Sequence, residues 1–137
     1  FSDPNHPTRG KGAAWRWIES EFRSYSPRLD VRLERSTLKK SGRVWRDVEL
    51  VNVVAVLKGK VHPEREILIS AHYDSLNRIM KPRPAGASPD DPAEEDYEAT
   101  ANADAPGVND DGSGTAAVLE LARVLSAYVW DNTLVFI

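Results

Sequence analysis

The chain has 137 residues, of which 41% are apolar and 28% charged, so it is expected to fold as one globular domain with a real core. The chain has 18 Lys and Arg residues and 21 Asp and Glu residues, so its formal net charge is −3. This charge argues against nucleic acid as a partner. There is no cysteine, so disulfides are excluded, and no apolar run approaches the roughly 20 residues of a membrane segment.

The first half of the chain predicts a helix followed by a β-hairpin. Thr8 is a candidate helix cap, and apolar residues from Ala14 to Tyr25 recur at spacings of three and four, which predicts a helix packed on one side. Alternating apolar and polar residues over 29–38 predict a half-buried strand, and 44–57 predicts a second, longer strand. A polar turn lies between the two strands, so they are expected to form a hairpin.

The second half predicts strands that alternate with a helix. Residues 66–71 form a short apolar run suited to a central strand that is covered on both faces. Residues 76–104 contain four prolines and seven acidic side chains, and we interpret this acidic, Pro- and Ala-rich stretch as a loop insertion. Apolar residues over 113–129 recur with the helical period, and 133–137 predicts a buried strand.

The order of these elements predicts an α/β fold. We expect a three-layer α/β/α arrangement with a mixed, mostly parallel sheet, in which the hairpin lies at one edge and a helix joins the parallel strands. The sequence stops at Ile137, at the close of an apolar strand and without a following element. We therefore interpret residues 1–137 as a single but incomplete domain.

A first polar cluster follows the strand predicted over 66–71. His72 and Asp74 lie there, and ligands gather at the carboxyl ends of parallel strands. If strand geometry persists, both side chains face the same side, and the Asp74 carboxylate can receive one ring N–H of His72 while the other nitrogen stays free for a metal. A structural histidine bonded to a neighbouring aspartate would show the same pattern.

A second polar cluster, residues 105–114, leads directly into the predicted helix. Helix capping accounts for Asp111 or Ser113, but it leaves the consecutive Asn and Asp residues at 109–111 unexplained. A carboxylate there could ligate a divalent metal, and one shared between two metals would hold them ~3.5 to 4 Å apart, as in two-metal hydrolases. Glycines in this cluster allow the tight backbone that such a ligand loop needs.

The two clusters, ILISAHYDS at 67–75 and APGVNDDGSGTAAVLELAR at 105–123, together resemble the co-catalytic di-zinc metallo-aminopeptidase family that includes the bacterial leucyl aminopeptidases. The resemblance covers about residues 50–137 and corresponds to the N-terminal part of that family's domain.

The resemblance implies roles for individual residues. It implies that His72 is a zinc ligand and that Asp110 is a carboxylate bridging two zinc ions. It also implies that Asp74 orients the His72 ring without binding the metal itself. It also implies that Asp111 follows Asp110 across a peptide bond that is often cis in the family. The implied reaction is hydrolysis of N-terminal peptide bonds of peptides or proteins through a metal-activated water.

The sequence departs from the family pattern because the general base and the later ligands are missing. A Glu-Glu pair, one base and one ligand, normally follows the strand that ends here at Ile137. We therefore expect this chain alone to bind zinc weakly or not at all and to be inactive, with the remainder of its own domain supplying the other groups.

Two alternatives to the aminopeptidase interpretation remain open. One is a glutaminyl-cyclase-like enzyme with a single zinc, and the other is a non-catalytic binding module on the same fold. Many relatives of the family are secreted, periplasmic or vacuolar, so the resemblance also favours an extracytoplasmic location.

Overall fold

A computed structural model of the chain describes residues 10–42 and 44–137. Its elements are the helices α1 (Ala13–Tyr25), α2 (Tyr97–Asn102) and α3 (Ser113–Leu125) and the strands β1 (Leu29–Leu38), β2 (Val48–Leu57), β3 (His62–Ile69) and β4 (Asn132–Phe136). The strands form one sheet in the order β1-β2-β4-β3. None of the helices in this part of the chain has the length and apolar character needed to cross a membrane.

The sheet is mixed, as predicted. β1 pairs with β2 in antiparallel fashion and lies at one edge, so the edge hairpin is confirmed together with the α/β class. β4 is parallel to β3 on one side but antiparallel to β2 on the other. The expectation of a mostly parallel sheet is therefore wrong for the described residues, because two of their three strand pairings are antiparallel.

The hairpin pairs residue by residue along the whole of β1 and β2. Its second strand begins at Val48 rather than at residue 44, because Asp47 closes the connection. The Asp47 carboxylate accepts a hydrogen bond from the main-chain N–H of Lys40 at 2.9 Å and pairs with the ammonium group of Lys39 at 2.7 Å. These bonds hold the connection outside the ladder.

The two long helices pack against the same face of the sheet. Their apolar stripes meet alternate side chains of β1, β2 and β4, which are adjacent on one face because of the strand register. The resulting core consists of Ile18, Phe22, Leu29, Val31, Val53, Ala55, Leu57, Val118, Leu119, Ala122, Leu134 and Phe136. The described part of the chain thus has two layers, one of sheet and one of helices, where the sequence predicts three.

β3 lies at the edge of the described sheet. The sequence predicts a central strand covered on both faces for 66–71, but β3 pairs with β4 alone in this part of the chain. Its side chains Ile67 and Leu68 are 47% and 62% exposed, so the predicted burial is wrong for the described residues. The strand also begins earlier than predicted, and its register is irregular between His62 and Glu66.

α3 is shorter than the helix predicted over 113–129 and ends at Leu125. The indole N–H of Trp130 donates to the Leu125 carbonyl at 2.9 Å, which satisfies one of the carbonyl groups left unpaired at a helix end. At the other end of the chain, the predicted cap Thr8 lies outside the described residues, and α1 begins after Gly12.

Phe22 is a buried anchor of α1. It is 1% exposed, and its ring packs edge-on against Tyr25 with the ring centroids 6.4 Å apart. We expect Phe22→Ala to lower the free energy of unfolding by about 3–5 kcal/mol, because the core loses the buried ring and keeps a cavity. Denaturant unfolding of the chain followed by circular dichroism measures this. Trp17→Ala, on the same helix but 56% exposed, should cost clearly less, and equal losses would contradict the assignment of Phe22 to the core.

Tyr25 gives the fold a dependence on alkaline pH. Burial, together with the hydrogen bond that its hydroxyl donates to the Glu21 carboxylate at 3.1 Å, raises the pKa of Tyr25 from 10.0 to about 12. The folded state favours the neutral phenol, so this stabilisation is complete below pH 10 and is lost as the pH rises through about 12. We expect Tyr25→Phe to remove this part of the pH dependence of unfolding. Tyr128→Phe, at an exposed tyrosine, should leave it unchanged, and an unaltered slope in Tyr25→Phe would show that the folded state does not shift this pKa.

Candidate functional site

The carboxyl end of β3 and the start of α3 meet at one place. α3 lies in the connection between the parallel strands β3 and β4, so its first turn returns to the end of β3. His72 follows β3, and Asp110 lies just before α3. The imidazole Nε2 of His72 is 3.1 Å from the carboxylate Oδ1 of Asp110. The structure therefore brings together the two residues that the sequence predicts as metal ligands.

The other ring nitrogen of His72 is held by Asp74. Nδ1 lies 3.0 Å from the main-chain carbonyl oxygen of Asp74 and 3.6 Å from its carboxylate Oδ1. The predicted partner was the carboxylate, but the chain after β3 is irregular, so strand geometry does not persist to Asp74. Because a carbonyl only accepts hydrogen bonds, Nδ1 carries a proton, and Nε2 is the ring nitrogen that faces the Asp110 carboxylate.

The pair is open to solvent and lies in negative surroundings. The side chains of His72 and Asp110 are 56% and 91% exposed. The hydrogen bond to the Asp74 carbonyl raises the pKa of His72, desolvation opposes it, and the carboxylates of Asp74, Asp110 and Asp111 raise it further. These surroundings favour the protonated form of the imidazole, and they equally favour a bound cation beside it.

A compact glycine-rich loop carries Asp110. Gly107 has a φ of 56°, and a Cβ there would lie 2.4 Å from the Cβ of Ser75, so only glycine fits. The N–H of Gly112 donates to the Gly107 carbonyl at 2.9 Å and closes the loop. The peptide bond between Asp110 and Asp111 is cis, as the resemblance implies.

The start of α3 also binds the main chain of His72. Asp111 Oδ1 accepts the N–H of Gly114, in the first turn of α3, at 2.9 Å, and its Oδ2 accepts the N–H of His72 at 3.3 Å. The hydroxyl of Thr115 donates to the His72 carbonyl at 3.1 Å. Thr115 is not among the residues that the sequence pattern predicts for the site. The signal that could have found it is its place in the first turn of the helix that follows the polar cluster.

The described residues fit part of a zinc site. An imidazole nitrogen and a carboxylate oxygen are both common zinc ligands, and His72 and Asp110 bring one of each within reach of a single ion. Within residues 10–42 and 44–137, no group of three or more His, Asp or Glu side chains is arranged to hold a metal. A cavity of about 530 Å³ opens beside the pair, lined by His72, Asp74 and mainly apolar side chains of α1, β2 and α3.

The fold is thus an α/β sheet in which an imidazole and a carboxylate lie together at the end of a parallel strand. Side chains of these two types are suited to divalent metals. The chain matches Peptidase family M28 over residues 52–137, more than half of its length. It belongs to this family.

Fungal relatives agree with the family assignment. The chain is 37% identical to a probable zinc metalloprotease of Pyricularia oryzae, an alignment that covers 99% of this chain and 24% of that protein. It is 36% identical to one of Leptosphaeria maculans, with 92% of this chain and 26% of that protein covered. For one of Pyrenophora tritici-repentis the identity is 34%, with 99% and 29% covered. The chain thus spans about a quarter of the length of these curated relatives.

Gly114 provides the space that the Asp111 carboxylate occupies. A Cβ on Gly114 would lie 2.3 Å from Asp111 Oδ1 and 2.5 Å from Oδ2. We expect Gly114→Ala to displace the carboxylate from the His72 N–H, so that this amide exchanges with solvent about tenfold faster, as loss of one hydrogen bond allows. Hydrogen exchange followed by NMR measures it. Unchanged exchange in Gly114→Ala would contradict the packing of this turn.

Proposed function

We propose that this chain is the N-terminal part of a zinc-dependent exopeptidase domain that removes residues from the N-termini of peptides or proteins. The observation that carries the proposal is the approach of His72 Nε2 to Asp110 Oδ1, 3.1 Å apart at the end of β3. Membership of Peptidase family M28 supports peptide-bond hydrolysis as the reaction. The relatives described as probable zinc metalloproteases support zinc as the metal.

In this proposal each residue of the site has a separate task. His72 binds the metal through Nε2 while its Nδ1–H stays on the Asp74 carbonyl, which fixes the ring. Asp110 would supply a carboxylate ligand to the same metal centre. The chemistry that zinc supplies when bound is polarisation of the substrate carbonyl and activation of water. The substrate's amino terminus is a cation at neutral pH, and the carboxylates around His72 suit its approach.

The complete site requires residues beyond the described ones. Two donor side chains do not close a tetrahedral zinc site, so we propose that the other ligands and the general base come from the remainder of the domain. The 137-residue chain by itself is then inactive and a weak zinc binder. An extracytoplasmic location of the complete enzyme is likewise proposed, on the resemblance to the di-zinc aminopeptidases.

A third layer is proposed for the complete domain. Leu68 is opposite Val135 in the register of β3 and β4, on the sheet face away from the two long helices. It is 62% exposed, and exposed apolar surface of this kind is normally covered by another element. Cover on this face from the remainder of the domain would complete the three-layer α/β/α arrangement and bury β3.

The test uses the full-length protein and a peptide with a free amino terminus. We expect release of the N-terminal residue, loss of this activity with a chelator, and its return with zinc. His72→Ala and Asp110→Ala should lower both bound zinc and activity at least about 100-fold, since they remove ligands and not only their supports. Asp90→Ala removes an exposed carboxylate of the insertion and should change neither.

Several outcomes would contradict the proposal. Equal cleavage of the same peptide with an acetylated amino terminus would indicate an endopeptidase. Release of ammonia from an N-terminal glutamine, without peptide hydrolysis, would indicate the single-zinc cyclase. A folded full-length protein that binds no zinc would indicate a non-catalytic module.

The 137-residue chain provides an independent measurement. A calorimetric zinc titration should show weak binding or none, because two donors hold a divalent ion poorly. Tight stoichiometric binding that disappears in both His72→Ala and Asp110→Ala would contradict the proposal that the missing ligands lie elsewhere in the domain.

A further inference from the structure

We infer that Thr115 is a positioning residue: together with Asp111, it holds the main chain of His72 so that Nε2 faces Asp110 before any metal is bound. This inference rests on the proposed function, since it concerns the same site. The Thr115 hydroxyl then affects metal affinity indirectly. It bonds the main-chain carbonyl of His72 and does not contact the ring nitrogen that would bind the metal.

The sheet stops supporting the main chain just before His72. The N–H of Ala71 donates to the Ile137 carbonyl at 3.0 Å, in continuation of the parallel pairing of β3 with β4. His72 is the next residue, and residues 70–79 have no regular strand structure. The backbone that carries the imidazole is therefore not fixed by the sheet.

At His72, side chains at the start of α3 replace the sheet as the hydrogen-bond partners of the main chain. The N–H of His72 donates to Asp111 Oδ2 at 3.3 Å, and its carbonyl accepts from the Thr115 hydroxyl at 3.1 Å. Both polar groups of one residue's main chain are thus bound by side chains at the beginning of a single helix. This arrangement restrains the peptide groups on either side of His72, and with them the direction of its Cα–Cβ bond.

The start of α3 is connected to both candidate ligands, His72 and Asp110, through Asp111. Asp111 is fixed to the helix because its Oδ1 accepts the N–H of Gly114 at 2.9 Å. It is also joined to Asp110 by a peptide bond. The first turn of α3 therefore sets the positions of His72 and Asp110 relative to each other. Of the two side chains that bind the His72 main chain, Thr115 is the one whose polar group can be removed without changing a charge.

The decisive experiment compares three variants of the full-length protein. Thr115→Val keeps the shape and removes the donor, Thr115→Ser keeps the donor, and Thr37→Val removes an exposed hydroxyl of β1 as a matched control. Zinc affinity is measured by competition with a chromophoric chelator. We expect Thr115→Val to weaken zinc binding about tenfold, within the range found for residues that support metal ligands, and the other two variants to bind as the parent does.

A second readout needs neither zinc nor activity. In the metal-free protein, Thr115→Val should accelerate exchange of the His72 amide hydrogen about tenfold, because the restraint on this main-chain segment is reduced by one hydrogen bond. Thr115→Ser should exchange as the parent does. The thermal unfolding midpoint of each variant, measured alongside, separates local loosening from global loss of structure.

The outcomes distinguish this inference from the function on which it rests. If the parent binds zinc and Thr115→Val binds it equally well, the inference is wrong and the proposed function stands. If the parent binds no zinc, the proposed function fails, and with it the role of His72 as a ligand to be positioned. Weakened binding in both Thr115→Val and Thr115→Ser would also overturn the inference, because the hydroxyl would then not be the group responsible.

Discussion

The parallel pairing of β3 with β4 is the constraint on which the rest of the structure depends. Parallel strands cannot be joined by a tight turn, so the chain must cross back over the sheet before the second strand begins, and α3 makes that crossing. The helix has to begin near the end of β3. Polar residues that follow the strand and polar residues that precede the helix therefore meet at one point, although a long stretch of chain separates them.

Beyond the end of β3, the main-chain groups find their hydrogen-bond partners outside the sheet. Buried or ordered backbone groups need hydrogen-bond partners, and the ladder supplies them only as far as β3 and β4 run together. For His72 the partners are the side chains of Asp111 and Thr115. The direction of its Cα–Cβ bond thus depends on a helix rather than on the strand that precedes it. Asp111 can approach the helix closely because Gly114 has no side chain.

The segment 76–104, which the sequence predicts to be a loop insertion, is held by hydrogen bonds at both of its ends. The Ser75 hydroxyl donates to the Ala105 carbonyl, and the side-chain amide of Asn77 donates to the Asp104 carbonyl at 2.9 Å. With its ends tied together, the segment 76–104, which contains α2, leaves the end of β3 close to the start of α3. Loop length adds little cost of closure once such contacts form, which is why an exposed segment of this size is compatible with a compact site.

The local parts of this structure were predictable from the sequence, and the long-range parts were not. Alternation in β1 and β2 and the helical period of α3 depend on near neighbours, so they predicted the hairpin and the helix. That His72 and Asp110 belong to one site was implied by the family resemblance and not by these patterns. No local pattern encodes that β4 also pairs with β2, that β3 is an edge strand among the described residues, or that the Asp74 carbonyl holds the imidazole in place of its carboxylate. Thr115 belongs with these, since its hydroxyl bonds a carbonyl 43 residues earlier in the chain. Such contacts exist only after the sheet and its crossover have brought distant segments together, and so only the tertiary structure decided them.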